Sequence, residues 1–381
     1  MNSLRLILSN KRYLSPAIVF ATLNVLLGTW AIYIPHVKSK LAIDDGEFGF
    51  ASIFFGLGTF IMLLIAPYLI QKIKVGRSTG FGVLLLMFSF TLPLIVNSYY
   101  ELCASLFIVG FIGAFTDISM NSLVSEIEKE DGVHIMSANH GFFSLGGMLS
   151  AGIGTFFLPI VEVPVYHMLV VILILILING FLMKNYFSHE VENVKQTKFS
   201  FSQLKPVLTL VIIGFFIMGS EGAIESWSAL YLENISMTEE KFFGLGFTAF
   251  SFTMAFGRFF GDKISQQFGS KKIILIGTLV GIIGFASVLL VDLTFVIIGF
   301  ALVGIGFSVI IPELYRIGGK LPNIDSSKGI SMIAGAGFLG FLITPFLLGQ
   351  ISDWSSLKYS FVALLGFSVI SFVLMLTIKN R

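Results

Sequence analysis

Twelve runs of apolar residues follow one another along the chain, near 14–36, 48–70, 79–97, 101–125, 135–160, 164–183, 206–232, 242–265, 272–291, 294–316, 329–351 and 357–378. Each holds about 20 residues or more, the number of helical residues that crosses a hydrocarbon core of about 30 Å. Polar and charged residues collect in the connections between the runs. Inside lipid a backbone exposed in this way is satisfied only by helices or a closed barrel, and runs of this length are helical in character. The pattern predicts an all-α integral membrane protein with twelve transmembrane helices. The first run follows Arg5, Lys11 and Arg12 and lacks a small-residue cleavage site, so it reads as a retained span and not as a signal peptide.

One polar connection is longer than the rest: NYFSHEVENVKQTKFSFSQLK, from Asn185 to Lys205. It divides the chain into an N-terminal six-helix bundle (1–184), a linker (185–205) and a C-terminal six-helix bundle (206–381). The halves share a constant spacing. Gly28 and Gly222, Gly110 and Gly304, Gly141 and Gly335, and Gly146 and Gly340 are each 194 residues apart, in equivalent spans. Glycine is abundant here, so one such pair carries no weight, but several at one offset point to a duplication. Six spans per half send both halves into the membrane in the same sense, which predicts two pseudo-symmetric bundles related by an axis along the membrane normal.

Composition supports the class: 55% of residues are hydrophobic, 12% are charged, and the mean hydropathy is +0.92. The 41 phenylalanines suit lipid-facing surface and the 39 glycines suit close helix packing. A lone Cys103 excludes an intrachain disulfide framework, and a net charge of +2 without a polybasic run gives no reason to expect nucleic acid. If the N-terminus is cytoplasmic, all Lys and Arg fall inside except Lys38, Lys40, Lys241 and Lys358, that is, 20 of 24. This bias predicts a plasma (inner) membrane protein with both termini cytoplasmic.

Three acids are read as intramembrane: Asp117 in the fourth run, and Glu221 and Glu225 in the seventh, in the stretch GSEGAIESW. A carboxylate at a span centre costs roughly 2.5–3.5 kcal/mol on insertion scales, so each needs a reason. Lys and Arg are confined to loops and span ends in this reading, which leaves the three without a cationic partner. Burial then disfavours the charged form, the chemistry a proton-coupled transporter uses. Spacing of four puts Glu221 and Glu225 on one helical face, where they share a proton, or else Glu225 belongs to the outer rim of its span. Asn24, Trp30, Asn121, Asn139, His140, Ser226 and Trp227 are candidates to line a cavity for a hydroxylated solute. The alternative for Trp30 and Trp227 is the interfacial aromatic belt, and for His140 a brace between helices. No His pair has metal-ligand spacing, and no HExxH, GxSxG, Cys/His pair or P-loop is present, so neither an enzyme, a cofactor, a metal site nor an ATP-driven pump is expected.

YLIQKIKVGRS (Tyr68 to Ser78) and GRFFGDKISQQFGSKK (Gly257 to Lys272) occupy the connections after the second and eighth spans. With the twelve-span, two-half layout they resemble the major facilitator superfamily over essentially the whole chain, with Gln71 and Gln266 where the family's basic loop usually carries an acid. GAFTDISMN in the fourth span and NHGFFSLGGMLSAGIG at the start of the fifth are similar to the fucose, galactose and glucose proton symporter branch. An EG....W-like element in the seventh span is similar to bacterial inner-membrane relatives of that branch. The resemblance implies roles for Asp117, Asn121 and His140. The fifth span reads SAGIG where drug antiporters of the superfamily often carry Gly-Pro, which weighs against efflux. The expected function is alternating-access secondary transport by a monomer, as proton-coupled symport of a small sugar-like solute. An efflux antiporter and a non-transporting nutrient sensor are the alternatives, separated from it by uptake measurements.

Overall fold

The computed structural model describes residues 3–133, 135–189, 207–318, 321 and 326–378. His134, most of the predicted linker (190–205), and the side chains of Asp262 and Gln266 in the second basic loop lie outside the described residues. All regular structure among the described residues is helical, in fifteen α-helices and short 3-10 turns. Ten stretches are long and apolar enough to cross a membrane. Two further helices, α7 and α10 below, fill the fifth and eighth predicted positions.

The first unit comprises residues 1–194 together with 240–244. It holds α1 (Ser3–Ser9), α2 (Lys11–Leu41), α3 (Asp45–Ile73), α4 (Val75–Ser89), α5 (Leu92–Ile95), α6 (Tyr99–Asp131), α7 (Met136–Gly154) and α8 (Pro164–Met183). Its helices start where the sequence supplies caps. Asn10 accepts from the Arg12 amide, Ser98 accepts from the Glu101 amide, and Asp44 and Glu47 form a reciprocal capping box. α6 ends on Gly132 in the left-handed region. The third predicted span is broken into α4 and α5, with Pro93 in the first turn of α5, where its missing amide hydrogen costs nothing.

The second unit comprises residues 195–239 and 245–381. It holds α9 (Leu208–Asn234), α10 (Leu245–Phe268), α11 (Ser270–Val288), α12 (Leu293–Phe307), α13 (Ile310–Gly318), α14 (Ser326–Trp354) and α15 (Leu357–Thr377). The tenth predicted span is the broken pair α12 and α13.

The two units are built by the same contacts. In the first, α2 packs on α7 and α3 on α6; in the second, α9 packs on α14 and α10 on α12. A Cβ on Gly146 would lie 2.2 Å from the Ala21 carbonyl oxygen, and one on Gly340 would lie 2.0 Å from that of Phe215. Both members of the second contact are the first contact shifted by 194 residues. Gly110 against Phe55 (2.0 Å) and Gly304 against Phe250 (2.2 Å) repeat this for the α3–α6 and α10–α12 crossings, with a slip of one residue on one side. Helices that approach this closely exclude any side chain, which explains why these pairs of glycines recur at one offset.

Candidate functional site

In the first unit Asp117 lies on α6, half-buried. Asn121, one turn on, donates its amide to Asp117 Oδ1 at 3.1 Å and to the Asp117 backbone carbonyl at 2.9 Å. No charged side chain among the described residues is within electrostatic reach of Asp117. The carboxylate therefore rests on a single neutral donor. Asp117 and Asn121, both singled out by the resemblance, are in direct contact.

The neighbouring candidates divide by what already occupies them. Asn24 is 1% exposed, and its Nδ2 donates across to the Phe143 carbonyl of α7 at 3.0 Å; its backbone carbonyl accepts from Ser150 Oγ at 3.4 Å. Its amide ties α2 to α7. Asn139 is fully buried and donates to the Ile135 carbonyl at 2.8 Å, closing the first turn of α7. The Oδ1 atoms of Asn24 and Asn139 are buried without a hydrogen bond. His140 is half-buried, and its ring meets Phe20 of α2 edge-on at 5.1 Å, which is the bracing contact. Trp30 is buried at 8% exposure, so it is not part of an aromatic belt at the lipid surface.

In the second unit the sequence-based expectation needs a correction. Glu221 was expected to have no cationic partner, because Arg258 counted as a span-end residue. Arg258 lies inside α10, and its Nη2 is 3.5 Å from Glu221 Oε2, with both side chains 14% exposed. At 1.5 Å per residue, Glu221 stands about 20 Å from the Leu208 end of α9 and Arg258 about 15 Å from the Phe268 end of α10. These ends lie on the same side of antiparallel helices, and the long arginine side chain bridges the difference. The other carboxylate oxygen, Glu221 Oε1, is buried without a hydrogen bond. Glu225, one turn along α9, is half-buried and within electrostatic reach of both Glu221 and Arg258. Ser226 is half-buried, and Trp227 is fully buried, again not at the lipid surface.

Sequence reasoning also passed over Glu313 of α13, which is 2% exposed and accepts from Arg316 Nη1 at 2.7 Å. The signal was present in IPELYRIGG, where acid and base stand three residues apart on a helix. Both stand near the end of the tenth predicted run, 294–316, where charges were read as span-end residues.

Comparison with known proteins accords with this architecture. The chain is 27% identical to an uncharacterised MFS-type transporter of Yersinia pestis, covering 93% of each, and 27% identical to an uncharacterised transporter of Sinorhizobium fredii, covering 97% of this chain and 100% of the relative. A crystal structure of the nucleoside transporter NupG superposes with a TM-score of 0.77 over 97% of this chain and 100% of that one, at 12% identity. At that identity the likeness is one of fold. The family profile of the Major Facilitator Superfamily matches residues 17–313 and 210–381, and the chain belongs to that superfamily as a multi-pass membrane transporter.

Proposed function

We propose that the protein is a proton-coupled symporter of a small polar, sugar-like solute that works by alternating access in the inner membrane, with both termini cytoplasmic. Asp117 and Glu221 take up and release the proton. The observation that carries this reading is the environment of Asp117: a half-buried carboxylate in a span, hydrogen-bonded by one neutral amide and, among the described residues, reached by no cation. Protonation removes the cost of holding its charge in low dielectric, so the site changes its access more easily when it carries a proton.

Glu221 supplies a second element with two arrangements. Ionised, it holds Arg258; protonated, it gives up the ion pair and frees guanidinium donors for a polar solute or another acceptor. A proton thereby biases which partner Arg258 takes, the local change a two-state transporter needs. A fold shared with a nucleoside transporter agrees with a small hydroxylated solute.

The test uses protein reconstituted in liposomes and the solute that gives the largest thermal shift in a screen of sugars, polyols, organic acids and their amines. Under an imposed inward proton gradient the wild type is expected to accumulate that solute. Asp117→Asn, which mimics the protonated acid, is expected to lose accumulation while keeping counterflow exchange. Accumulation unchanged in Asp117→Asn would show that the proton is carried elsewhere.

A further inference from the structure

Among the described residues, the charged groups inside the spans of the second unit do not balance. Glu221 and Glu225 stand one turn apart on α9, and among the described residues Arg258 is the cation acting on both. Arg258 lies against Glu221, at 3.5 Å. Glu225 makes no hydrogen bond or ion pair among the described residues, and its side chain is partly accessible. The other acid buried in a span of this unit, Glu313, has Arg316 beside it at 2.7 Å. With all three groups of the cluster ionised, the site carries one negative charge too many, and that charge is at Glu225.

Three occupants would answer it: a proton, an inorganic cation, or a positive group on the solute. Only the last uses the charge to recognise cargo. An ammonium group offers three donors to a carboxylate in a place where charge-assisted hydrogen bonds are strong, because water competes poorly. A sugar acid would bring a further anion against Glu225, and a neutral sugar would leave Glu225 without a counter-charge. Resting on the reading that this cluster forms part of the solute pathway, we propose that Glu225 anchors a cationic group of the solute, so that the cargo is a small hydroxylated amine carried in its ammonium form.

The proposal is tested on the purified full-length protein with matched probes at a pH where the amines are protonated. The pairs are glucose with glucosamine and glycerol with serinol, with gluconate as the anionic member and sodium chloride against choline chloride as the inorganic arm. Binding is read by thermal shift and by competition. At least one ammonium member is expected to bind about tenfold more tightly than its neutral partner, gluconate to bind worst, and Glu225→Gln to lose the preference. Glu225→Asp, which retains the charge, keeps it and serves as the readout if the Gln variant does not fold.

Equal binding within every pair overturns the proposal, as does a preference that survives in Glu225→Gln or disappears in Glu225→Asp. Sodium-dependent stabilisation lost in Glu225→Gln, with no amine preference, assigns the site to an inorganic cation and overturns it too. The proton reading fails separately. It is decided by accumulation in Asp117→Asn, a measurement separate from the ammonium preference read in the Glu225 variants.

Discussion

Replacing Arg258 by glutamine is expected to destabilise the protein more at alkaline pH than replacing Glu221 by glutamine, although both break the same ion pair. Removing one partner of a buried pair costs about 3–5 kcal/mol because the other charge is left uncompensated. The two survivors differ in their escape. In Glu221→Gln the Arg258 guanidinium, charged at any accessible pH, still has Glu225 within electrostatic reach, so the cost stays below about 3 kcal/mol and varies little with pH. In Arg258→Gln both Glu221 and Glu225 lose that cation, and the variant recovers only as these carboxylates neutralise themselves by binding protons. Its penalty is therefore present at alkaline pH and falls away as the pH is lowered. Thermal unfolding in detergent of both single variants and the double variant, at mildly acidic and mildly alkaline pH, measures this. The double variant is expected to be less destabilised than the sum of the singles. Additive losses that ignore pH would mean that the 3.5 Å contact between Glu221 and Arg258 carries no energetic coupling.

Alanine at Gly146 and at Gly340 is expected to damage the two units by the same mechanism and to a similar degree. Each new Cβ would fall about 2 Å from a backbone carbonyl oxygen, on Ala21 in one case and Phe215 in the other. A backbone carbonyl does not swing aside as a flexible side chain does, so the helix pair must separate, at a cost of about 3 kcal/mol or more. Gly335 is the control, since nothing lies within 4 Å of a Cβ built there. Alanine at that position is expected to be neutral or to stabilise by about 0.5 kcal/mol, because glycine is the poorer helix former. Monodisperse yield and melting temperature after detergent extraction check the three variants together. If Gly146→Ala and Gly340→Ala differ widely, the shared offset of 194 residues does not reflect a shared packing role.

What the sequence disclosed about the fold was set by the length scale of each signal. All twelve apolar runs coincide with helices, because a membrane crossing is written in about 20 consecutive residues. The breaks between α4 and α5 and between α12 and α13 were hidden, since residues on both sides of each break are apolar and a hydropathy pattern averages over them. Pro93 was the local sign of the first. The contact of Asp117 with Asn121 was legible because residues four apart on a helix are neighbours whatever the tertiary structure.

The partner of Glu221 was not legible in the same way. Arg258 sits in GRFFGDK, a segment that charge counting assigned to the cytoplasmic side. Counting residues from the Leu208 end of α9 and the Phe268 end of α10 brings the two to a similar depth, but that they face each other depends on the rotation of both helices. The same limit applies to Asn24, whose polarity suggested a cavity lining and whose amide instead holds α7 through the Phe143 carbonyl. Trp30 and Trp227 resemble interfacial aromatics by sequence position, yet both are buried. Burial, unlike span position, depends on which face of a helix meets its neighbours.

The most direct test of the account is the proton flux that accompanies solute entry. With the protein in lightly buffered liposomes and no imposed gradient, addition of its solute is expected to alkalinise the medium at a fixed ratio of protons to solute taken up. Asp117→Asn is expected to abolish the pH change while solute exchange continues. Solute entry by the wild type with no movement of protons, or an undiminished proton signal in Asp117→Asn, would contradict it.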